Sequence, residues 1–341
     1  WTPWLLLSAF RNAKNHNRIK DLLITAAILG VIALADVRWF AYAFGAWFIV
    51  YIWFEFEERK TKQRITTIIR NLLFIPFGSL ALASVQLIPL LEFVRLSTRS
   101  GMAAEEKLAI SLPFDRLLGV IFPDWGGYAE WVIYPGALIL CLTIFSIARP
   151  EIRKKTFLWI LVALMSLIIS LGENLPGMES LVGIPGIDLL RVPPRIIFLG
   201  GISLCIIAAY GFDELLKLKE KPPFDPVFFM VPIAALGLFT IIGLGITDNK
   251  IPLTVIWGTF TLVISILLIF LAEKQKIRLN LITLTAIIIL GLDLGITNQL
   301  SIRFENLNES TSQTQEAIDF LLKQPGDFRI YSPSYSISQY N

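Results

Sequence analysis

The apolar runs Val227–Ile246, Ile251–Leu271 and Leu279–Ile296 leave this chain few ways to fold. Each reaches the ~20 residues that cross a ~30 Å hydrocarbon layer at ~1.5 Å rise per residue. In lipid every backbone N–H and C=O must be bonded within its own helix or within a closed barrel, and the period-two alternation of barrel strands is absent. The runs are therefore helices, and the expected fold class is an all-α polytopic membrane protein. The composition agrees, since only 17% of the 341 residues are charged, against roughly 25% in soluble domains.

Apolar runs and their polar breaks predict about nine full spans after a partial one at Trp1–Phe10. Their cores are 22–36, 40–55, 71–88, 134–148, 156–172, 196–212, 227–246, 251–271 and 279–297. Placing the loop after Phe10 in the cytoplasm makes 11–20, 56–70, 149–155, 213–225 and 272–278 the inner segments. These hold 19 of the 30 Lys and Arg in 52 positions, whereas the outer segments hold 11 in 119 positions. Every inner loop is enriched in turn, as the positive-inside rule demands of a multi-pass protein in a bacterial cytoplasmic membrane. The outer face then owns two long loops, 89–133 and 173–195, and the C-terminal region.

Two regions are expected, a transmembrane domain over 1–299 and, over 300–341, the opening of an extracytoplasmic α/β domain. In the second, Thr311–Lys323 reads as a short helix, followed by a Pro325-Gly326-Asp327 turn and an extended Phe328–Tyr331. The chain reads as a piece of a longer protein. Its basic residues are scattered among short loops, so no nucleic-acid partner is expected. The only histidine, His16, rules out a His-ligated metal site or a His-based triad within this chain. Cys141 and Cys205 lie inside apolar runs as small hydrophobes.

Polar residues gather at the outer ends of spans, and mid-span positions are nearly empty. Asp36, Arg38 and Gln86 sit at such ends, and Asp293 lies somewhat deeper, either facing the bundle and paired or marking a shorter span. In Leu190-Arg191-Val192-Pro193-Pro194-Arg195, two prolines pre-set a helix start and place Arg191 and Arg195 near the headgroups. A guanidinium offers a planar fork of donors suited to phosphate, so the pair suits a lipid-linked phosphate; headgroup anchoring is the alternative. Glu92, Arg95 and Arg99 share helical spacing if the span 71–88 continues outward. Phe114, Leu117, Leu118, Ile121 and Phe122 predict an amphipathic interfacial helix ended by Pro123. Asp124 on the turn Phe122–Gly127, followed by Glu130 and Tyr134, sets carboxylates beside aromatics, a surface suited to sugar stacking. Glu173 completes the candidate outer polar cluster.

Several of these stretches together resemble the YfhO-type bacterial membrane proteins, placed with the GT-C-like glycosyltransferases. They are Gln86-Leu87-Ile88-Pro89-Leu90-Leu91-Glu92-Phe93-Val94-Arg95-Leu96-Ser97, Ser111-Leu112-Pro113, Phe122-Pro123-Asp124, Arg191-Val192-Pro193-Pro194-Arg195 and Tyr210-Gly211-Phe212-Asp213. Tyr331-Ser332-Pro333 resembles the start of that family's polar C-terminal region. The resemblance implies a GT-C-like helical bundle that moves a sugar from a polyprenyl-phosphate donor to an envelope acceptor, a teichoic acid or a glycolipid. It also implies an inverting mechanism in which Arg191 and Arg195 stabilise the departing phosphate. The family's catalytic carboxylate belongs to an outer loop before Trp1, and its metal dependence varies, so a divalent metal is neither required nor excluded. Two other readings compete: a flippase or transporter of lipid-linked saccharides, and a non-catalytic scaffold of envelope assembly.

Overall fold

A computed structural model describes residues 1–14, 18–58, 63–96, 108–178, 180, 192–217, 235, 237, 240, 252–274, 278–301, 319, 320 and 323. Among them there is no strand. The helices are α1 (Thr2–Lys14), α2 (Ile19–Ala35), α3 (Val37–Glu58), α4 (Gln63–Leu96), α5 (Ala137–Ala148), α6 (Pro150–Ser170), α7 (Ile197–Leu216), α8 (Leu253–Glu273) and α9 (Leu279–Ser301). Short 3-10 turns stand at Phe114–Val120, Ala129–Trp131, Gly172–Asn174 and Pro193–Ile196. The chain separates into two compact units, Trp1–Gln299 and Leu300–Asn341. In the second, Asp319 and Phe320 are helical, and the expected turn and extended segment at 325–331 lie outside the described residues.

Five helical segments are long and apolar enough to cross a membrane: Val37–Phe56, Ile65–Phe93, Pro193–Leu216, Leu253–Glu273 and Leu279–Gln299. Their lipid-facing sides are populated by large apolar residues such as Phe77, Val85, Phe260 and Ile287, all exposed on the protein surface. The remaining expected cores fall differently. The core 22–36 becomes α2, of 17 residues, and 134–148 becomes α5, of only 12. The core 156–172 becomes α6, whose first turns carry Glu151, Arg153, Lys154 and Lys155. Most of 227–246 lies outside the described residues.

Two boundaries depart from expectation for local reasons. Pro135 and Gly136, the latter at φ +101°, delay the start of α5 to Ala137. The segment Phe114–Val120 is a 3-10 turn instead of an α-helix, confined between Pro113 and the Pro123 break, and its Leu117 and Val120 pack on the buried Leu112, Ile133 and Leu171. It therefore closes over protein as well as facing outward. In contrast, α4 does continue outward, running 34 residues through Pro76 and Pro89.

Two clusters of buried side chains form the core. One joins α1, α2, α3, α4, α6 and α7 through Leu5, Leu29, Trp47, Tyr51, Ile75, Trp159 and Ile207. The other joins α5 to α9 through Leu138, Phe145, Ile152, Ala208, Leu262, Ile269 and Ile282. Helices α6 and α7 thus belong to both. Small residues bring their backbones close, as membrane helices require when lipid is as apolar as leucine. A Cβ on Gly211 of α7 would lie 2.7 Å from the Leu142 carbonyl oxygen of α5. Ser146 of α5 also donates to the Ile207 carbonyl of α7 over 2.8 Å. At the basic end of the bundle, Arg149 and Glu273 pair at 3.1 Å with side chains 9% and 6% exposed.

Candidate functional site

The end of the bundle opposite that buried ion pair is built from loops, and its hydrogen bonds weave them together. Leu112 N–H donates to the Ser170 carbonyl at 2.9 Å, and Asn174 Nδ2 to the Leu112 carbonyl at 3.0 Å. Glu173 N–H donates to Ser111 Oγ at 3.0 Å. Trp131 Nε1 donates to the Ile110 carbonyl at 3.0 Å, and the Arg116 guanidinium lies 5.7 Å from the Trp131 ring centre. The 3-10 turn Ala129–Trp131 is thereby anchored on both sides.

Arg195 enters this end from the start of α7. Val192 stands at φ +58°, a left-handed conformation that costs a β-branched residue energy, and buried Pro193 and Pro194 follow it. Such strain persists only where the surroundings over-determine it. Here it turns the chain sharply into α7 and sets Arg195 on the first turn. Its guanidinium meets the Glu130 carboxylate at 3.5 Å, with side chains 33% and 29% exposed.

This pair stands at the mouth of a cavity of about 1180 Å³. The walls come from α1, α6 and α7 and the loop 120–135, and are almost wholly apolar: Leu6, Phe10, Trp159, Leu167, Ile202 and Ile206 are typical. Lining residues on the α7 side run from Arg195 to Tyr210, about 22 Å at the helical rise. A long apolar slot with a guanidinium and a carboxylate at one end matches a molecule with a hydrocarbon chain and an anionic head.

The other predicted residues are placed as follows. Arg191 and Arg99 lie outside the described residues, and of Arg95 only the backbone, on α4, is described. Glu92 is on an exposed face of α4, and Glu173 is exposed on its 3-10 turn. Asp124 serves its own turn, accepting Gly126 N–H at 3.2 Å. Neither Glu92, Asp124 nor Glu173 lines the cavity. Of the two carboxylates in the stretch Phe122–Tyr134, Glu130 lines the cavity, and its sequence signal was the aromatic setting of Tyr128, Trp131 and Tyr134. Among the described residues no three His, Cys, Asp or Glu side chains gather as a metal site would need.

Asp36 joins α2 to α3 and accepts from Arg38 three times, from the backbone N–H at 2.9 Å, Nε at 3.0 Å and NH2 at 2.9 Å. The Arg38 side chain holds its carboxyl below the usual aspartate range. Asp293 faces the bundle, as one of its two expected readings had it, and among the described residues it meets no arginine. It accepts the Tyr134 hydroxyl at 3.0 Å and Ala137 N–H at 2.8 Å.

Fold and site together define a multi-pass helical membrane protein with an apolar cavity that carries an ion pair at one end. No family model, curated protein or solved structure matches the chain.

Proposed function

We propose that this protein is a membrane glycosyltransferase that moves a sugar from a polyprenyl-phosphate donor to a cell-envelope acceptor, a teichoic acid or a glycolipid, on the outer face of a bacterial cytoplasmic membrane. One observation carries the reading: Arg195 lines one end of an apolar cavity of about 1180 Å³, a volume that can take part of a lipid chain. The resemblance of the Arg191–Arg195 and Gln86–Ser97 stretches to YfhO-type proteins supports it, as does the concentration of Lys and Arg on the opposite face.

In the proposed reaction an acceptor hydroxyl oxygen attacks the anomeric carbon and forms the new glycosidic bond. Its proton passes to a carboxylate base, which the resemblance places before Trp1. The bond from the anomeric carbon to the phosphate oxygen breaks, its electron pair stays on that oxygen, and Arg195 stabilises the charge. Glu130 balances the guanidinium until the phosphate arrives, so an unpaired charge is not left half-buried.

The test uses the full-length protein in membranes with labelled polyprenyl-phosphate sugars. Transfer that is lost in Arg195→Ala while the protein stays folded supports the reading. Transfer unchanged in the variant returns Arg195 to headgroup anchoring. Saccharide crossing the bilayer without covalent transfer indicates a transporter, and neither activity in the intact protein indicates a scaffold.

A further inference from the structure

Arg195 and Phe198 form a wall shared by two cavities. Beyond them from the apolar slot lies a second cavity of about 410 Å³, lined also by Thr2, Ile32, Asp36 and Trp39. Its chemistry differs from that of the slot. Trp39 and Phe198 meet edge to face at 5.2 Å between ring centres, and Trp39 Nε1 is held by Thr2 Oγ1 at 3.0 Å. Asp36, braced by Arg38, faces the same space as Arg195. One turn further along α3, the Tyr42 ring lies 5.4 Å from that of Trp39, and its hydroxyl is buried with no hydrogen-bond partner among the described residues. A buried hydroxyl without a partner costs free energy unless a water or a ligand oxygen completes it.

We infer that this second cavity holds the saccharide of the lipid-linked substrate, an inference that rests on the reading of Arg195 as the phosphate-binding group. With the chain in the apolar slot and the phosphate at Arg195, the attached sugar must begin within a few ångströms of the guanidinium. The aromatic and charged cavity is lined by that same guanidinium, so it is a space the sugar can reach. A carboxylate and a guanidinium across a small cavity suit neighbouring hydroxyls, which donate to one and accept from the other. An indole ring offers the apolar face of a pyranose a surface. A second phosphate would meet the negative charge of Asp36, and a second alkyl chain would make no use of the polar groups of Asp36 and Arg195.

The experiment measures binding to the full-length protein in nanodiscs. The probes are bare polyprenyl phosphate and polyprenyl phosphate carrying glucose, galactose, N-acetylglucosamine or mannose, with phosphatidylethanolamine as a competitor. The intact protein is expected to prefer one glycosylated lipid to the bare one by about tenfold. Trp39→Ala and, separately, Asp36→Asn are expected to abolish that preference while binding bare polyprenyl phosphate as before. Trp39→Phe, which retains an aromatic face, is expected to keep part of it, and separates lost recognition from lost folding. Equal binding of all five lipids by the intact protein overturns the inference, as does a preference that survives both substitutions. Displacement of the glycosylated lipid's advantage by phosphatidylethanolamine assigns the cavity to a phospholipid headgroup and overturns it too. Absence of binding to any polyprenyl phosphate, bare or glycosylated, instead overturns the underlying reading of Arg195.

Discussion

Asp293 of α9 and Ala137 of α5 share a hydrogen bond of 2.8 Å, so the first turn of one helix is capped by a side chain from another. The start of a helix has unsatisfied N–H groups and a partial positive charge, and a carboxylate answers both. Helix α5 needs this help because its N-cap residue, Gly136, has no side chain to offer. Replacing Asp293 with Ala strands the buried Ala137 N–H and leaves the Tyr134 hydroxyl only Thr261 Oγ1, at 3.4 Å. A loss of about 1–3 kcal/mol is expected, read as a lower unfolding temperature in nanodiscs. Tyr134→Phe, which removes only one of the two donors, is expected to cost less. Equal stability of Asp293→Ala and the unmodified protein would contradict the assignment.

At the basic end, Arg149 and Glu273 clamp the last turn of α8 to the junction of α5 and α6. Both side chains are nearly buried, and the guanidinium also lies 4.5 Å from the Phe145 ring centre. Removing one member leaves the other charged and enclosed, at a cost of about 3–5 kcal/mol. Glu273→Ala and Arg149→Ala should each lower denaturation resistance by that order. Exchanging the two residues should recover part of the loss, and a double-mutant cycle measures how much.

Glycine at 211 is expected to be irreplaceable by any branched residue. The Leu142 carbonyl would lie 2.7 Å from a new Cβ, so Gly211→Val forces α5 and α7 apart, at about 1–3 kcal/mol. Purified protein should show broadened unfolding and reduced yield. Gly201 on the same helix has open space where a Cβ would sit, and Gly201→Ala should be tolerated.

Glu130→Gln separates the two roles open to that carboxylate. The pair with Arg195 is about one-third exposed, and ion pairs of that kind contribute little to stability. Folding should therefore be unchanged. Bare polyprenyl phosphate should bind severalfold more tightly once a competing negative charge is removed. Weaker binding would mean that Glu130 is needed to aim the guanidinium.

Asp36 supplies a modest pH dependence. Its folded-state pKa is depressed by Arg38, so its contribution is present above the unfolded value, about 4, and disappears as pH falls through the lower folded one. The stability difference between the unmodified protein and Asp36→Asn should be small near neutrality, because the carboxylate is 40% exposed. It should begin to shrink below pH about 4 and vanish once the pH has fallen below the lower folded-state value. A difference that grows on acidification would contradict the pairing.

The membrane class was legible because apolar length and Lys/Arg spacing are one-dimensional properties. The two prolines announced the start of α7, and Arg195 with it. What the sequence could not display was distance across the fold. Glu130 stands 65 positions before Arg195 and was outweighed by Asp124, which sits in a more conspicuous turn but spends its carboxylate on Gly126. Asp293, if it faced the bundle, was expected to be paired, and its partner is a helix terminus far away in sequence. Periodicity over Phe114–Phe122 matched an α-helix, but the nine residues between Pro113 and Pro123 pack Leu117 and Val120 on buried neighbours as a 3-10 turn.

The walls of the apolar slot come from chain segments made at different times. Pro3 of α1 and Arg195, on the turn that leads into α7, both line it, and a ribosome adding 5–20 residues per second separates them by roughly 10–40 s. During that interval the α1 face bearing Leu6, Leu7 and Phe10 meets acyl chains, which solvate it as well as any protein surface does. Helix α7 then closes over a wall already coated with lipid. On the proposed reading, a donor lipid therefore enters by exchange with a resident acyl chain instead of by invading an empty space.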